Sequence, residues 1–181
     1  AAVHAGADAV YVGVPDFNAR GRAPSLSQQE LADLIKFCHL YGVRVFLAVN
    51  ILIFEEELEP LCERLVELVK LNPDAFIVQD IGLCRILQVL APHISIHAST
   101  QMTVTSSESI KATANLGITR YVLGRENSLT DIQRIREDTN SELEVFVHGA
   151  LCVSYSGQCL TSESFGGRSA NRGQCAQSCR L

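Results

Sequence analysis

Residues 43–80, VRVFLAVNILIFEEELEPLCERLVELVKLNPDAFIVQD, hold one full unit of the architecture. Val43–Val49 is an apolar run rich in β-branched residues, as expected of a strand buried on both faces. Leu58, Leu61, Leu65, Val66 and Val69 then recur at helical spacing and share one face. Asn72-Pro73 stops that helix, and Ala75–Val78 begins a second buried strand. Moving outward, the same alternation continues on both sides. Further strands are predicted at Ala9–Val14, Ile94–His97, Tyr121–Leu123 and Leu143–Val147. A helix carrying Leu31, Leu34, Ile35 and Cys38 on one face opens at a Ser27/Glu30 capping box and stops at Gly42. Later helices are predicted at Gly82–Leu90, Ser106–Leu116 and Leu129–Asp138.

Strands alternating with helices imply an α/β fold with a parallel sheet and right-handed crossovers. A (β/α)₈ barrel and a doubly wound open sheet both satisfy this pattern. No G-x-G-x-x-G or Walker loop follows any strand, which weakens the nucleotide-binding open sheet. Polar residues at successive strand ends favour the barrel: Asn18 and Arg20, Asn50, Gln79 and Asp80, then His97, Ser99 and Gln101, Arg125 and Glu126, and His148. In a barrel these ends converge on the carboxyl-terminal face, where barrel active sites lie. Each alone has a structural explanation: Asp80 could cap the next helix, Arg125 and Glu126 could pair with neighbours, and His97 could be a satisfied core histidine. The expectation is a TIM-barrel-like domain over residues 1–150, incomplete in this chain, followed by a cysteine-rich segment over 151–181.

The composition, 47% hydrophobic and 19% charged over 181 residues, is that of a globular domain with a sizeable core. No apolar run approaches the ~18 residues of a membrane span, and no signal peptide is visible, so the cytoplasm is the expected compartment. The absence of an initiator Met and the stop just after a cysteine suggest a piece of a longer protein. A net charge of −5 argues against nonspecific nucleic-acid binding by the whole surface. Locally the balance differs: from Ala150 onward the only acid is Glu163, against Arg168, Arg172 and Arg180. Those arginines could hold phosphate or carboxylate groups, or could belong to a solvated basic loop.

Cys38, Cys62 and Cys84 sit at core spacing in helical segments and read as packing residues. Cys152, Cys159, Cys175 and Cys179 are different. They lie in HGALCVSYSGQCLTSESFGGRSANRGQCAQSCRL with six, fifteen and three residues between successive cysteines. C-x₆-C is wide for a zinc knuckle, whereas iron–sulfur clusters tolerate irregular spacing among Gly-rich loops. A cytoplasmic setting disfavours stable disulfides. A cluster is therefore the favoured reading, ahead of zinc and then disulfides. No H-E-x-x-H is present and Ser154-Tyr155-Ser156-Gly157 is no G-x-S-x-G elbow. A Cys152–His148 dyad is conceivable by residue type, but four neighbouring cysteines suit metal binding better.

These residues also resemble a known family. EVFVHGALCVSYSGQCLTSESFGGRSANRGQCAQSCR, with HAGADAVYVG, FIVQDIG, HASTQ and VLGRE, is similar to the signature of the U32 peptidase family. The resemblance covers essentially the whole chain and implies a barrel-like domain with one further strand on each side. Several branches of that family are 4Fe–4S proteins of hydroxylation. Some act on a base of transfer or large-subunit ribosomal RNA with prephenate required, others in oxygen-independent ubiquinone synthesis. This chain resembles the RNA-hydroxylating branch most, ribosomal RNA cytidine hydroxylases in particular. The resemblance implies Cys152, Cys159 and Cys175 as ligands common to the branches. Cys179 matches the fourth ligand of the RNA-modifying branch, while another branch takes its fourth from farther downstream.

The implied mechanism is a barrel mouth that presents a carboxylate-bearing, prephenate-linked donor and an unstacked RNA base to the cluster. Arg125, Arg168 and Arg172 are candidate anion clamps; Asn50, Gln79, Gln101 and Glu126 are candidate substrate contacts. His97 and His148 are candidate proton-transfer groups with ordinary imidazole pKa values. Basic surface outside this chain would have to offset its acidic charge. Two rivals stay open: a true peptidase or collagenase-like protease with a structural metal, and a noncatalytic cluster-bearing subunit working with a paralogous partner.

Overall fold

The computed structural model describes residues 1–21, 26–149 and 151–180. Six strands and six helices alternate: β1 (Ala9–Gly13), α1 (Gln28–Leu40), β2 (Arg44–Val49), α2 (Leu58–Lys70), β3 (Ala75–Val78) and α3 (Ile81–Leu90). They continue with β4 (Ser95–Ala98), α4 (Ser107–Ala112), β5 (Ile118–Val122), α5 (Leu129–Asp138), β6 (Glu142–Glu144) and α6 (Thr161–Gly166). The sheet order is β1-β2-β3-β4-β5-β6 and every pairing is parallel. A doubly wound sheet reverses strand order at a switch point. Here no reversal occurs, and the sheet curls as a half-barrel. The TIM-barrel-like expectation holds. The boundary expected at residue 150 and the terminal Leu181 lie outside the described residues.

Local chemistry accounts for the element ends. Ser27 and Glu30 form the expected capping box: the Glu30 N–H donates to Ser27 Oγ, and Glu30 Oε2 accepts from the Ser27 N–H at 2.8 Å. Asp80 caps α3, its Oδ1 accepting from the Leu83 N–H at 2.8 Å. α4 is shorter than its apolar pattern predicts. The Thr113 hydroxyl donates back to the Ser109 and Ile110 carbonyls, so the chain tightens into a 3₁₀ turn at Ala114–Leu116. β6 is also shorter. It is an edge strand, and Val145, Phe146 and Val147 leave the ladder exposed rather than extending it.

The main core lies between sheet and helices. Val45, Leu47, Val49, Phe76, Val78 and Ile96 pack against Leu31, Ile35, Leu61, Leu65, Leu68, Leu83 and Leu87. In α2 the buried face is Leu61, Leu65 and Leu68, while Val66 points outward, 41% exposed. Buried steps of four and three follow the helical period, and Val66 falls beside that stripe. Cys38 and Cys84 are buried, consistent with packing roles. The opposite sheet face carries Phe46, Ala48, Ala75 and Ile77. Because all six strands run the same way, their carboxyl ends share one rim.

Candidate functional site

A chain of amide and hydroxyl groups crosses that rim. Asn50 accepts from the Ala19 N–H at 3.0 Å and donates to Ser99 Oγ at 3.0 Å. Ser99 Oγ also accepts from the Gln101 N–H, and Gln79 donates to the Gln101 carbonyl at 3.0 Å. Asn18 donates to the Val14 carbonyl and accepts from the Arg20 N–H. Asn50 thus ties the loops after β1, β2 and β4 together, and Gln79 ties the end of β3 to the loop after β4. The side-chain oxygens of Gln79 and Gln101 are buried and have no partner among the described residues. Buried acceptors left unpaired are costly, so they mark where a donor from a bound molecule would gain most.

The cysteine segment folds back over this rim and is fastened to four loops. After β5, the Glu126 carboxylate accepts from the Ser156 N–H at 3.1 Å and the Ser156 hydroxyl at 3.0 Å. After β4, Thr103 donates to the Ser156 carbonyl at 2.7 Å. After β2, Glu57 pairs with the Arg172 guanidinium, which also donates to the Leu52 carbonyl and lies over the Phe54 ring. That pairing, chiefly its hydrogen bonds, holds the Glu57 carboxyl below its usual value. After β1, Gly173 (φ +81) lies so close that an added Cβ would sit 2.6 Å from the Asn18 carbonyl oxygen.

Between rim and segment lies a cavity of about 870 Å³, within the range of small-molecule sites. Of the residues singled out in the sequence, Asn18, Arg20, Asn50, Ser99, Gln101, Arg125, Glu126, Cys152, Cys159 and Cys175 line it. Tyr11, Glu144 and Phe146 join them, with the Arg125 guanidinium 4.4 Å from the Phe146 ring centroid and the Arg20 guanidinium 5.8 Å from that of Tyr11. Tyr11 and Phe146 were missed because apolar runs on paper do not separate the two faces of a strand.

Other residues stand elsewhere. His97 is inside β4, only 4% exposed, with its ring edge-on to Phe46 at 4.7 Å between centroids. Burial above all, then the Arg120 charge, push its pKa down to about 4; Glu142 opposes them, and Arg44 adds a smaller downward push. The expectation of an ordinary imidazole pKa fails for His97, because the strand turns it into the sheet's packed inner face. His148 and Arg168 are exposed and do not line the cavity. Arg172 is committed to Glu57 and Leu52 rather than offered as an anion clamp. Gln79 acts from behind Gln101, and Cys179 is exposed in a 3₁₀ turn outside the cavity.

The donor set suits thiolate chemistry in part. Hydrogen bonding from Ser154 first, then from Thr161 and Ser162, holds the Cys159 thiol below its ordinary pKa despite partial burial. Asn171 clamps the Cys159 backbone, accepting from its N–H at 3.1 Å and donating to its carbonyl at 2.9 Å. Among the described residues, no three His, Cys, Asp or Glu side chains are gathered closely enough to hold a metal ion. One tetrahedral ion would need its thiolates within ~2.3 Å of a single atom. A four-iron cluster would distribute its ligands over separate irons, one thiolate to each.

The fold and rim define a (β/α)-barrel-type protein whose mouth is capped by a cysteine-bearing segment. The chain belongs to peptidase family U32, which matches residues 1–181. It is 46% identical to the 23S rRNA 5-hydroxycytidine C2501 synthase of Escherichia coli (strain K12), over 97% of this chain and 26% of that protein. It is 35% identical to the tRNA hydroxylation protein P1 of Bacillus subtilis (strain 168), over 99% of this chain and 42% of that protein. The chain thus spans well under half the length of both relatives. In three dimensions it resembles the solved U32 peptidase Mk0906, with a TM-score of 0.66 at 20% identity, covering 76% of this chain and 60% of that one.

Proposed function

We propose that this chain forms the catalytic mouth of an RNA base hydroxylase acting on ribosomal or transfer RNA. The observation that carries the proposal is the convergence of Cys152, Cys159 and Cys175 with Asn50, Gln101, Arg125 and Glu126 around one cavity. The names of the two relatives support the reaction class. Cys152, Cys159 and Cys175 would hold a 4Fe–4S cluster, with Cys179 as the proposed fourth ligand. When bound, the cluster supplies one-electron transfer at the cavity wall.

The chain's own residues supply binding and orientation. Asn50 and Gln101 present fixed amide groups to a small donor, for which a prephenate-linked carboxylate is proposed. Arg125, over Phe146, offers a guanidinium plane for a carboxylate or for stacking of an unpaired base. Residues of the segment 151–180 form one wall of the cavity. The cytoplasm is the proposed compartment; among the described residues no helix is long and apolar enough to cross a membrane. A paralogous protein partner is part of the same proposal.

The test uses the full-length protein purified without oxygen, together with a gene-deletion strain. Iron and acid-labile sulfide bound to the wild type and lost from Cys152→Ser are expected, with a hydroxylated nucleoside missing from the deletion strain's RNA. RNA modified normally in the deletion strain, or by the Cys152→Ser protein, would overturn the proposal. Peptide hydrolysis by iron-free protein would point to the peptidase instead.

A further inference from the structure

Glu57 and Glu126 face the cysteine segment from two different loops of the barrel, and each grips it three residues before a cavity cysteine. Glu126 holds Ser156, ahead of Cys159; Glu57 holds Arg172, ahead of Cys175. Asn171, next to Arg172, closes the circuit by clamping the backbone of Cys159. The two stretches of the segment are therefore tied to the barrel through these two carboxylates, beside its other contacts, and to each other through Asn171. Gly157 (φ +74) makes this docking possible, since a Cβ there would lie on the Gln101 carbonyl. None of these contacts needs a bound group.

We infer that Glu57 and Glu126 are positioning residues that fix the cysteine segment over the mouth, through Arg172–Asn171 and Ser156 respectively. Glu126 lines the cavity, yet both carboxylate oxygens are engaged by Ser156. Its role is to hold Cys159, not to bind substrate. The chemical logic is preorganisation. The segment buries little of its apolar surface, with Leu151, Val153, Tyr155, Leu160 and Phe165 all exposed, so charge-assisted bonds to the barrel must set where its thiols lie. The significance for catalysis rests on the hydroxylase reading, but the strapping itself is a property of the chain before any metal is loaded.

The test is site-resolved alkylation of the full chain before iron loading, read by mass spectrometry. Cys159 is half-buried and reports the segment; Cys84 is fully buried in the core and reports global opening. E57A, E126A and N171A are each expected to label Cys159 about tenfold faster than wild type, the effect of one lost charge-assisted or paired hydrogen bond. Cys84 labelling should stay unchanged. E126Q, which keeps an acceptor and gains a donor for Ser156, should return to near the wild-type rate. Because Glu57 acts on the segment through Arg172, E57A/R172A should label no faster than R172A alone. Unchanged Cys159 labelling, additive effects, or Cys84 rising in step with Cys159 would each overturn the inference. If the protein takes up no iron at all, the hydroxylase reading fails while the labelling result still decides the strap.

Discussion

Replacing His97 by leucine should remove a defined piece of the protein's acid sensitivity. In the native sheet the imidazole is buried against Phe46 with Arg120 and Arg44 beside it, and its pKa falls from 6.5 to about 4. The unfolded chain takes up its proton near pH 6.5, whereas the native chain resists until about 4. This residue therefore costs nothing above pH 6.5; its penalty grows as the pH falls through 6.5 to 4 and is complete below. A difference of about 2.5 in pKa at 1.36 kcal/mol per unit gives about 3 kcal/mol. The assay is urea unfolding, followed by far-UV circular dichroism at intervals from pH 7 to pH 4, on wild type and His97→Leu without metal. Carboxylates common to both chains cancel in the difference. Glu142, which faces the ring, is controlled by repeating the pair in a Glu142→Gln background. The variant should gain about 3 kcal/mol on wild type between pH 7 and pH 4, whatever the two stabilities are at pH 7. A gap that stays constant across that range would show that burial of His97 does not set this acid sensitivity.

Leu65→Ala should destabilise the chain by about 2–5 kcal/mol in urea titration at neutral pH, since Leu65 is fully buried between α2 and the sheet. Asp80→Ala should cost about 1 kcal/mol through loss of the α3 cap, with amide exchange rising first at Leu83. Gly157→Ala combines a left-handed backbone, about 1–2 kcal/mol for alanine, with a Cβ lying on the Gln101 carbonyl. Hydrogen exchange should then rise across residues 151–175 while the six strands keep their protection; unchanged exchange in that segment would count against the docking described above. Cys179→Ser should reduce iron content as Cys175→Ser does if it is the fourth ligand, and leave it unchanged if the ligand comes from farther along the whole protein.

Much of the barrel was legible in the chain, because its signals are local. Val43–Val49 and Ala75–Val78 are strands from composition alone, and Ser27 with Glu30 or Asp80 alone sets a helix start through contacts within four residues. The errors also have local causes. Thr113 turns its hydroxyl on the preceding carbonyls and shortens α4, and among the described residues the apolar run after Glu144 has no outer strand to pair with. Within the site, Asn50, Gln101, Arg125 and the first three cysteines of the tail were identified as strand-end or cysteine residues, and they do line one cavity.

The alternation of elements, the polarity of the strand ends and the clustering of thiols in a Gly-rich tail can all be read from the chain. Periodicity, turn chemistry and composition carry that information within a few residues. Which polar groups face the mouth and which are fasteners is settled by packing in three dimensions. Arg172 and Glu57 stand 115 positions apart, Ser156 and Glu126 thirty, and nothing in either neighbourhood announces the partner. The same holds for His97, whose pKa is set by burial and by charges on β2, β5 and β6. Parallel strands bring distant positions side by side, and electrostatics acts through space rather than along the chain.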